Sequence, residues 1–278
     1  MREALIAMPD SSELSLFWAA TLERRDQFEK ADEIYEEALF RNSQDKRIFL
    51  YWGASLEERG EWEEAIGVYG RGLRSIGLDV ELLLRSGICF GQQDQWLESL
   101  QLYEQAWQLK EKQGQVALQW GVSLQQLRRW DEAIEKFHVA LEKMPEQTNI
   151  LFYLGMCYER ASHETNNEKY FWEGEAIFER LIKIDPNDAF ALNYLGYMYV
   201  EKGIKLEIAI GLILRAVEIN SKNSAFLDSL AWAYFKLGNI ESAAKYIAQA
   251  IEHIDGDEGT ELAVIFDHAG DVSEAIGD

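Results

Sequence analysis

The chain has 278 residues, and 49 Asp and Glu against 27 Lys and Arg give it a formal net charge of −22. A chain this acidic repels the phosphates of nucleic acids and anionic membranes, so it favours neutral or basic partners. It contains no apolar run of membrane-spanning length, and the apolar stretch at its start is too short for a signal peptide. We expect a soluble protein with no direct membrane insertion.

A period of 34 residues organises the first half of the chain. Small residues recur at this spacing, at Ala31, Ala65, Ser99 and Ala133. An aromatic residue stands four positions after each of them, at Tyr35, Tyr69, Tyr103 and Phe137, and another three positions before, at Phe28, Trp62, Trp96 and Trp130. This period is typical of two-helix hairpins that pack mainly on their neighbours, so we predict an array of such hairpins.

A second column, in which a large residue precedes Gly or Ala, marks another helix in each repeat. It includes Trp18-Ala19 and Trp52-Gly53 near the start and Leu230-Ala231 near the end. Between the two columns lie turn signals such as Gly60 and Gly238, where Gly can end a helix in the left-handed conformation. Each repeat is therefore predicted to hold two helices joined by a short turn.

These columns, with Pro9, Pro145 and Pro186 just past second helices, resemble the tetratricopeptide repeat over the whole chain. The resemblance implies an all-α fold, a right-handed superhelical α-solenoid that forms one domain over residues 1–278. Its seven complete repeats are predicted at 12–45, 46–79, 80–113, 114–147, 148–188, 189–223 and 224–262, with half-repeats at 1–11 and 263–278. Because terminal repeats normally carry a polar cap, we expect a chain cut from a longer array or capped by another element.

Two polar stretches depart from the regular spacing. The fifth repeat has 41 residues, and its excess falls on Ser162–Glu168, which predicts a surface loop between its helices. The acidic stretch 255–261 predicts a linker before a last helix from Phe266 to Gly277. Three motifs in successive first helices, Asn-x-Leu-Gly-Tyr, Asp-Ser-Leu-x-Trp and His-x-Gly-Asp, resemble a group of bacterial proteins of this family. The compartment stays open between the bacterial cytoplasm and the cell envelope.

The resemblance also implies where a partner would bind, because first helices line the concave face in this family. From the sixth repeat onward the predicted groove is acidic and aromatic, with the residues Phe190, Asn193, Tyr197, Asp228, Trp232, Phe235, Asp267 and Asp271. Trp232 is the only tryptophan that no structural column explains, and tryptophan is common at binding hot spots. In the alternative interpretation, these polar residues fix the stacking of neighbouring helices and Trp232 is packing.

A second, apolar stripe runs along the first five repeats. Its predicted groove residues are Leu16, Leu50, Leu84, Leu118, Phe152 and Met156. An apolar surface of this length would suit an apolar or amphipathic segment of a partner. In the alternative interpretation these residues pack between adjacent first helices and are covered.

No catalytic or cofactor motif is present in the sequence. It contains no Gly-rich phosphate loop, nucleophile elbow or paired metal ligands, so we expect no enzyme, no cofactor and no metal site. His268 beside Asp267 and Asp271 is the one combination with a weak potential for holding a cation, and a structural role is favoured there.

The leading functional hypothesis is a non-catalytic scaffold that binds a partner peptide or helix in its concave groove. The partner would be a neutral to basic protein or peptide with apolar anchors, and not a nucleic acid. One alternative is a non-catalytic module of a larger bacterial enzyme or of a cell-envelope or secretion assembly. The second alternative is an RNA-processing scaffold built from half-a-tetratricopeptide repeats. The first repeat, with Phe17-Trp18, resembles such repeats, but the acidic net charge of the chain argues against RNA binding.

Overall fold

The computed structural model describes residues 8, 10–165, 167–254 and 259–277, and the regular structure in these ranges is α-helical. Close contacts divide the chain into two compact units, Met1–Pro145 and Glu146–Asp278. The helices of the first unit are α1 (Ser12–Glu23), α2 (Phe28–Arg41), α3 (Lys46–Glu58), α4 (Trp62–Ile76), α5 (Val80–Gln92), α6 (Trp96–Gln108), α7 (Gln113–Gln126) and α8 (Trp130–Lys143). Those of the second unit are α9 (Thr148–Thr165), α10 (Glu168–Ile184), α11 (Ala189–Lys202), α12 (Leu206–Ile219), α13 (Ser224–Lys236), α14 (Ile240–Glu252) and α15 (Gly259–Ile276).

Within each unit the helices pair as hairpins. The odd-numbered helix of each pair packs on the even-numbered helix that follows it, from α1 with α2 to α13 with α14. The second helix of each hairpin also contacts the first helix of the next hairpin in the same unit. For example, α4 contacts α5, and α12 contacts α13. The predicted all-α array of two-helix repeats is confirmed. That all the repeats form a single domain stays a prediction.

The helix ends follow local sequence chemistry. Asp79 caps α5, where its side chain accepts hydrogen bonds from the backbone N–H groups of Glu81 and Leu82 at 3.0 and 3.2 Å. The turn before α4 contains Gly60 with φ of +74°, and the corresponding turn before α6 contains Asp94 with φ of +58°. A left-handed residue at this point lets the chain reverse and start the second helix at its aromatic residue.

The two sequence columns meet in the core of each hairpin. A methyl group added to Gly53 would lie 2.2 Å from the ring of Tyr69, so only glycine allows α3 and α4 to approach this closely. Likewise, a methyl group added to Gly87 would lie 2.4 Å from the ring of Tyr103. The hydroxyl of the fully buried Tyr69 donates to Glu57 at 2.5 Å, which satisfies its hydrogen bond inside the core.

The predicted surface loop at Ser162–Glu168 is wrong. Helix α9 continues to Thr165 and α10 begins at Glu168, so the additional residues lengthen both helices, to 18 and 17 residues. The polar side chains suit exposed helix ends: the Thr165 hydroxyl donates to the carbonyl of Ala161 at 2.7 Å. Asn167 caps α10 by accepting from the N–H of Lys169 at 3.1 Å.

The last helix begins earlier than predicted. Helix α15 starts at Gly259, inside the stretch predicted as a linker, and residues 255–258 of that stretch lie outside the described residues. Ile265 and Val272 are each 1% exposed on the face that packs against the preceding hairpin, and such tertiary packing stabilises a helix beyond its sequence propensity. Most of the predicted half-repeat at 1–11 lies outside the described residues, including Pro9.

Candidate functional site

A cavity of about 450 Å³ lies between the first helices α9 and α11 of the second unit. Helix α13 packs closely against both α11 and α15. In contrast, the described parts of α9 and α11 make few close contacts with each other. The rings of Phe152 and Tyr194 stand between these two helices, with centroids 5.3 Å apart. Bulky aromatic side chains therefore occupy the position where other first helices pack directly.

The cavity has aromatic walls. The Phe190 ring meets Phe152 at 6.4 Å and Phe226 at 5.3 Å, both edge to face, and Phe190 is 55% exposed at the rim. The lining residues come from α9, α11, α13 and its cap, and α15: Phe152, Glu159, Arg160, Phe190, Asn193, Tyr194, Tyr197, Met198, Asn223, Ala225, Phe226, Asp228, Ser229, Val264 and Ile265. Concave sites of this kind, apolar with a few polar groups, are typical of ligand pockets.

Two buried oxygen atoms of the cavity lining have no hydrogen-bond partner, Asn193 Oδ1 and Glu159 Oε2. Asn193 is only 8% exposed, and an unpaired buried acceptor carries a desolvation penalty. Burial raises the pKa of Glu159, with the charge of Glu201 adding to the shift and the charges of Arg160 and His163 opposing it. Glu159 Oε2 also lies 3.4 Å from Arg160 Nε in an ion pair, and neither oxygen has appreciable accessible surface.

Tyr197 lies one helical turn from Asn193 and marks the negative part of the cavity. Burial raises its pKa, and the charges of Glu201, Asp228 and Glu159 add to this effect, while the charge of Arg160 opposes it. Three carboxylates and one guanidinium thus act on this phenol, which leaves an excess of negative charge around it.

Trp232 is packed inside the second unit and is 7% exposed. Its ring stacks on His268 of α15 at 4.0 Å between centroids, and its Nε1 donates to Glu201 Oε1 of α11 at 2.8 Å. Asp228, 4% exposed, lies with both oxygens 3.0 Å from His268 Nδ1. These contacts give Trp232 and Asp228 the packing role that the sequence left open, and a direct role in partner binding stays a prediction.

The other residues of the predicted groove are divided between the cavity and its surroundings. Phe190, Asn193, Tyr197 and Asp228 line the cavity. Phe235 stacks on Trp232 at 5.0 Å, and Asp267 and Asp271 are exposed on α15. Within the described ranges no group of three metal-ligating side chains is found, and His268 is engaged with Asp228.

The predicted site residues did not include Glu159, Arg160 and Tyr194, which line the cavity. The unusual length of the fifth repeat was a signal that its first helix ends differently from the others.

The predicted apolar stripe is partly covered. Leu16, Leu84 and Leu118 of the first unit are 6–9% exposed, and Leu50 is half-buried. In the second unit Phe152 and Met156 are half-buried, and Phe152 lines the cavity. Most of the leucines therefore pack within their unit, as the alternative interpretation expected.

Comparisons with known proteins agree with the hairpin architecture. The tetratricopeptide repeat model matches residues 18–79 and 118–171. The TPR repeat-containing protein PA4667 of Pseudomonas aeruginosa is 30% identical over 118 residues, which are 42% of this chain and 19% of that protein. The chain thus matches about a fifth of the length of this relative. None of the helices in the described part of the chain is both long and apolar enough to cross a membrane.

Solved structures with the same fold are more distant in sequence. A tetratricopeptide repeat protein from Parabacteroides merdae has a TM-score of 0.67 at 15% identity, covering 91% of this chain and 98% of that one. PilF of Pseudomonas aeruginosa has a TM-score of 0.64 at 15% identity, and the match covers 80% of this chain and 96% of PilF. YrrB, described as a TPR protein with an unusual peptide-binding site, has a TM-score of 0.57 at 21% identity. The match covers 69% of this chain and 95% of YrrB. With the repeat model matching in both units, the chain is a tetratricopeptide repeat protein.

Proposed function

We propose that this protein is a non-catalytic interaction scaffold that holds a segment of a partner protein in the cavity between α9 and α11. Tetratricopeptide repeats generally mediate protein–protein interaction, and proteins built from them are generally non-catalytic. The observation that carries the proposal is the unpaired Asn193 Oδ1 in the lining of an aromatic cavity. A backbone or side-chain N–H of a bound segment would satisfy this oxygen once the Asn193 side chain turns towards the segment, and the aromatic walls would bury the segment's apolar side chains.

The cavity has the composition of a protein-binding surface. Phe190 and Tyr194 offer large, rigid faces, and aromatic residues dominate the energetics of protein interfaces. Phe190 is exposed at the rim, where a partner could cover it. The negative potential around Tyr197 favours a partner segment that is neutral to basic.

A photo-crosslinking experiment tests this proposal. p-Benzoylphenylalanine is placed at position 190, or at the control position 40, whose phenylalanine is 92% exposed in the first unit, and the protein is incubated with an extract of its source organism. We expect a protein crosslink at position 190 that is absent at position 40. Asn193→Ala should weaken capture of that protein by about tenfold while its melting temperature stays near that of the wild type. Equal crosslinks at both positions, or capture unchanged by Asn193→Ala, would contradict the proposal.

A second candidate function is a binding module within a larger assembly. The relative PA4667 is about five times longer than the segment it shares with this chain, since the match covers 19% of it. Size-exclusion chromatography of the crosslinked material would test this candidate: a complex with several different proteins supports it, and a complex with one partner alone contradicts it.

A further inference from the structure

We infer that the outer face of α15 is a second interaction surface, which docks an amphipathic helix of a partner protein with basic residues at its edge. The outer face consists of Phe266, Gly270 and Ser273, three exposed residues that lie on one side of the helix at spacings of four and three positions. Ser273 is polar, so the apolar part of this face is centred on the other two residues. None of the three lines the cavity between α9 and α11, so this surface is distinct from the site of the proposed function.

Gly270 belongs to the column of small residues that lets the two helices of a hairpin approach each other. At the five other glycines of this column, an added methyl group would lie 2.2–2.7 Å from a side chain of the following second helix. The five pairs are Gly53–Tyr69, Gly87–Tyr103, Gly121–Phe137, Gly155–Phe178 and Gly196–Ile213. At Gly270, nothing in the described part of the chain outside the backbone of α15 lies within 4 Å of the added methyl group. The space that a second helix occupies in the other repeats is therefore open beside α15.

Phe266 lies one helical turn before Gly270, at a position where other first helices bury an apolar residue. In the second repeat this residue is Phe49, which is 3% exposed and lies against Gly72 of the second helix α4. In the seventh repeat it is Leu227, which is 1% exposed. Phe266, in contrast, is 56% exposed. A large aromatic side chain thus faces solvent at a position that contacts a second helix elsewhere in the fold.

The preceding repeat indicates what covers such a surface. Helix α15 packs on α13 and α14, and Ile265 and Val272 are buried on that side. In α13 the residue equivalent to Gly270 is Ala231, which is buried in one cluster with Ile247 of the second helix α14. A helix that covers the outer face of α15 in the same way would run antiparallel to it and place a large apolar residue over Gly270.

Charge complementarity indicates which helix fits. Asp267, Asp271 and Glu274 are exposed at spacings of four and three positions, so they form an acidic line along α15 beside the outer face. Lysine or arginine residues at the edge of a docked helix would meet this line with opposite charge. A second copy of this chain fits less well, because each copy has a net charge of −22 and the two would repel each other. The occupant is therefore a basic helix of a different protein.

Two designed helical peptides test the inference. Both contain the pattern that α2, α4, α6 and α8 share, an aromatic residue four positions after a small residue. The edge positions are lysine in one peptide and glutamate in the other, and fluorescence anisotropy measures the binding of each to the full chain. We expect the lysine peptide to bind with a Kd below about 100 μM, and at least about tenfold more tightly than the glutamate peptide.

Variants at two glycines locate the bound peptide. Gly270→Gln fills the open space beside α15 and should weaken binding of the lysine peptide by about tenfold or more. Gly211→Gln is the matched control, because Gly211 also lies inside a helix, α12, with nothing within 4 Å of an added methyl group. It should bind the peptide like the wild type. Both variants should keep a urea midpoint at or above that of the wild type, because glutamine favours the helix more than glycine does.

Variants of the neighbouring side chains test the anchor and the charge. Phe266→Ala should weaken binding of the lysine peptide by about tenfold, because an exposed aromatic anchor is removed. Phe17→Ala is the control, since Phe17 on α1 is similarly exposed, at 53%, and the variant should bind normally. With Asp267→Asn and Asp271→Asn combined, the lysine and glutamate peptides should bind within about threefold of each other.

Four results would overturn the inference. They are no saturable binding of the lysine peptide, equal binding of the two peptides to the wild type, equal loss of binding in Gly211→Gln and Gly270→Gln, and a dimer of the chain that Gly270→Gln dissociates. The dimer would show that a second copy covers the outer face. A peptide that loses binding in Phe190→Ala but not in Phe266→Ala would lie in the cavity, which would support the proposed function and overturn this inference.

Discussion

The imidazole of His268 and the carboxylate of Asp228 join the last helix to α13: Nδ1 lies 3.0 Å from each carboxylate oxygen. Both residues are buried, at 8% and 4% exposure. The His268 ring also covers Trp232, at 4.0 Å between centroids. One side chain of α15 therefore satisfies a buried acid and completes an aromatic stack, so it holds α15 beside the cavity that Val264 and Ile265 help to line.

Replacing His268 by alanine should destabilise the second unit. The change leaves the Asp228 carboxylate buried without its partner, a loss of about 1–3 kcal/mol. We expect a lower urea midpoint and faster hydrogen exchange of backbone amides in α15. His253→Ala, at the half-buried end of α14, is the matched control and should stay near the wild type. Equal stability of the two variants would show that the Asp228 contact does not hold α15.

The sequence predicted the parts of the fold that depend on contacts within a hairpin. Gly53 and Tyr69 lie 16 positions apart in a fixed two-helix geometry, so their columns predict that the two helices approach closely at this point. The structure contains this close approach, because a methyl group added to Gly53 would lie 2.2 Å from the Tyr69 ring. The period of 34 residues repeats this relationship along the first unit, which is why helix pairing was predictable without a structure.

The candidate site was less predictable because it depends on contacts between repeats. The separation of α9 from α11 depends on the bulk of Phe152 and Tyr194, which no repeat column describes. The burial of Trp232 depends on His268, which comes from another repeat. The polar stretch at Ser162 was compatible with a loop and with exposed helix, and only the structure distinguishes them.

Gly53→Ala should destabilise the first unit, since the added methyl meets the Tyr69 ring at 2.2 Å. Overpacking of this kind costs about 1–3 kcal/mol. Gly67→Ala is the matched control, because Gly67 lies inside α4 with no atom within 4 Å of the added methyl. Alanine there should raise stability by about 0.5–1 kcal/mol through its helix propensity. Urea unfolding of both variants checks the pair, and equal losses would contradict the close approach.

The turn before α6 offers a stabilising substitution. Asp94 has φ of +58°, a left-handed conformation that costs a residue with a Cβ about 1 kcal/mol. Asp94→Gly should therefore raise the urea midpoint. The reverse change at the equivalent turn, Gly60→Ala at φ of +74°, should lower it by a similar amount. A loss of stability in Asp94→Gly would show that its side chain contributes more than the backbone strain costs.

The buried carboxyl of Glu159 should make the stability of the folded chain depend on pH. Burial and the charge of Glu201 raise the pKa of this carboxyl in the folded chain above its ordinary value of 4.5. The folded state therefore favours the protonated form, and the associated stability is fully present below pH 4.5 and is lost as the pH rises through the raised pKa. The ionised form of Glu159 is therefore less favourable in the folded chain than in the unfolded chain.

Glu159→Gln removes that charge and keeps an oxygen acceptor of the same shape. We expect the variant to be more stable than the wild type at about pH 8, with the difference shrinking as the pH falls towards the ordinary glutamate pKa. Urea unfolding at several pH values measures this difference. Glu179→Gln serves as the control, because its carboxyl is exposed in the folded chain and its removal should leave the stability near that of the wild type. A stability difference for Glu159→Gln that does not vary with pH would mean that the Glu159 carboxylate is not desolvated in the folded chain.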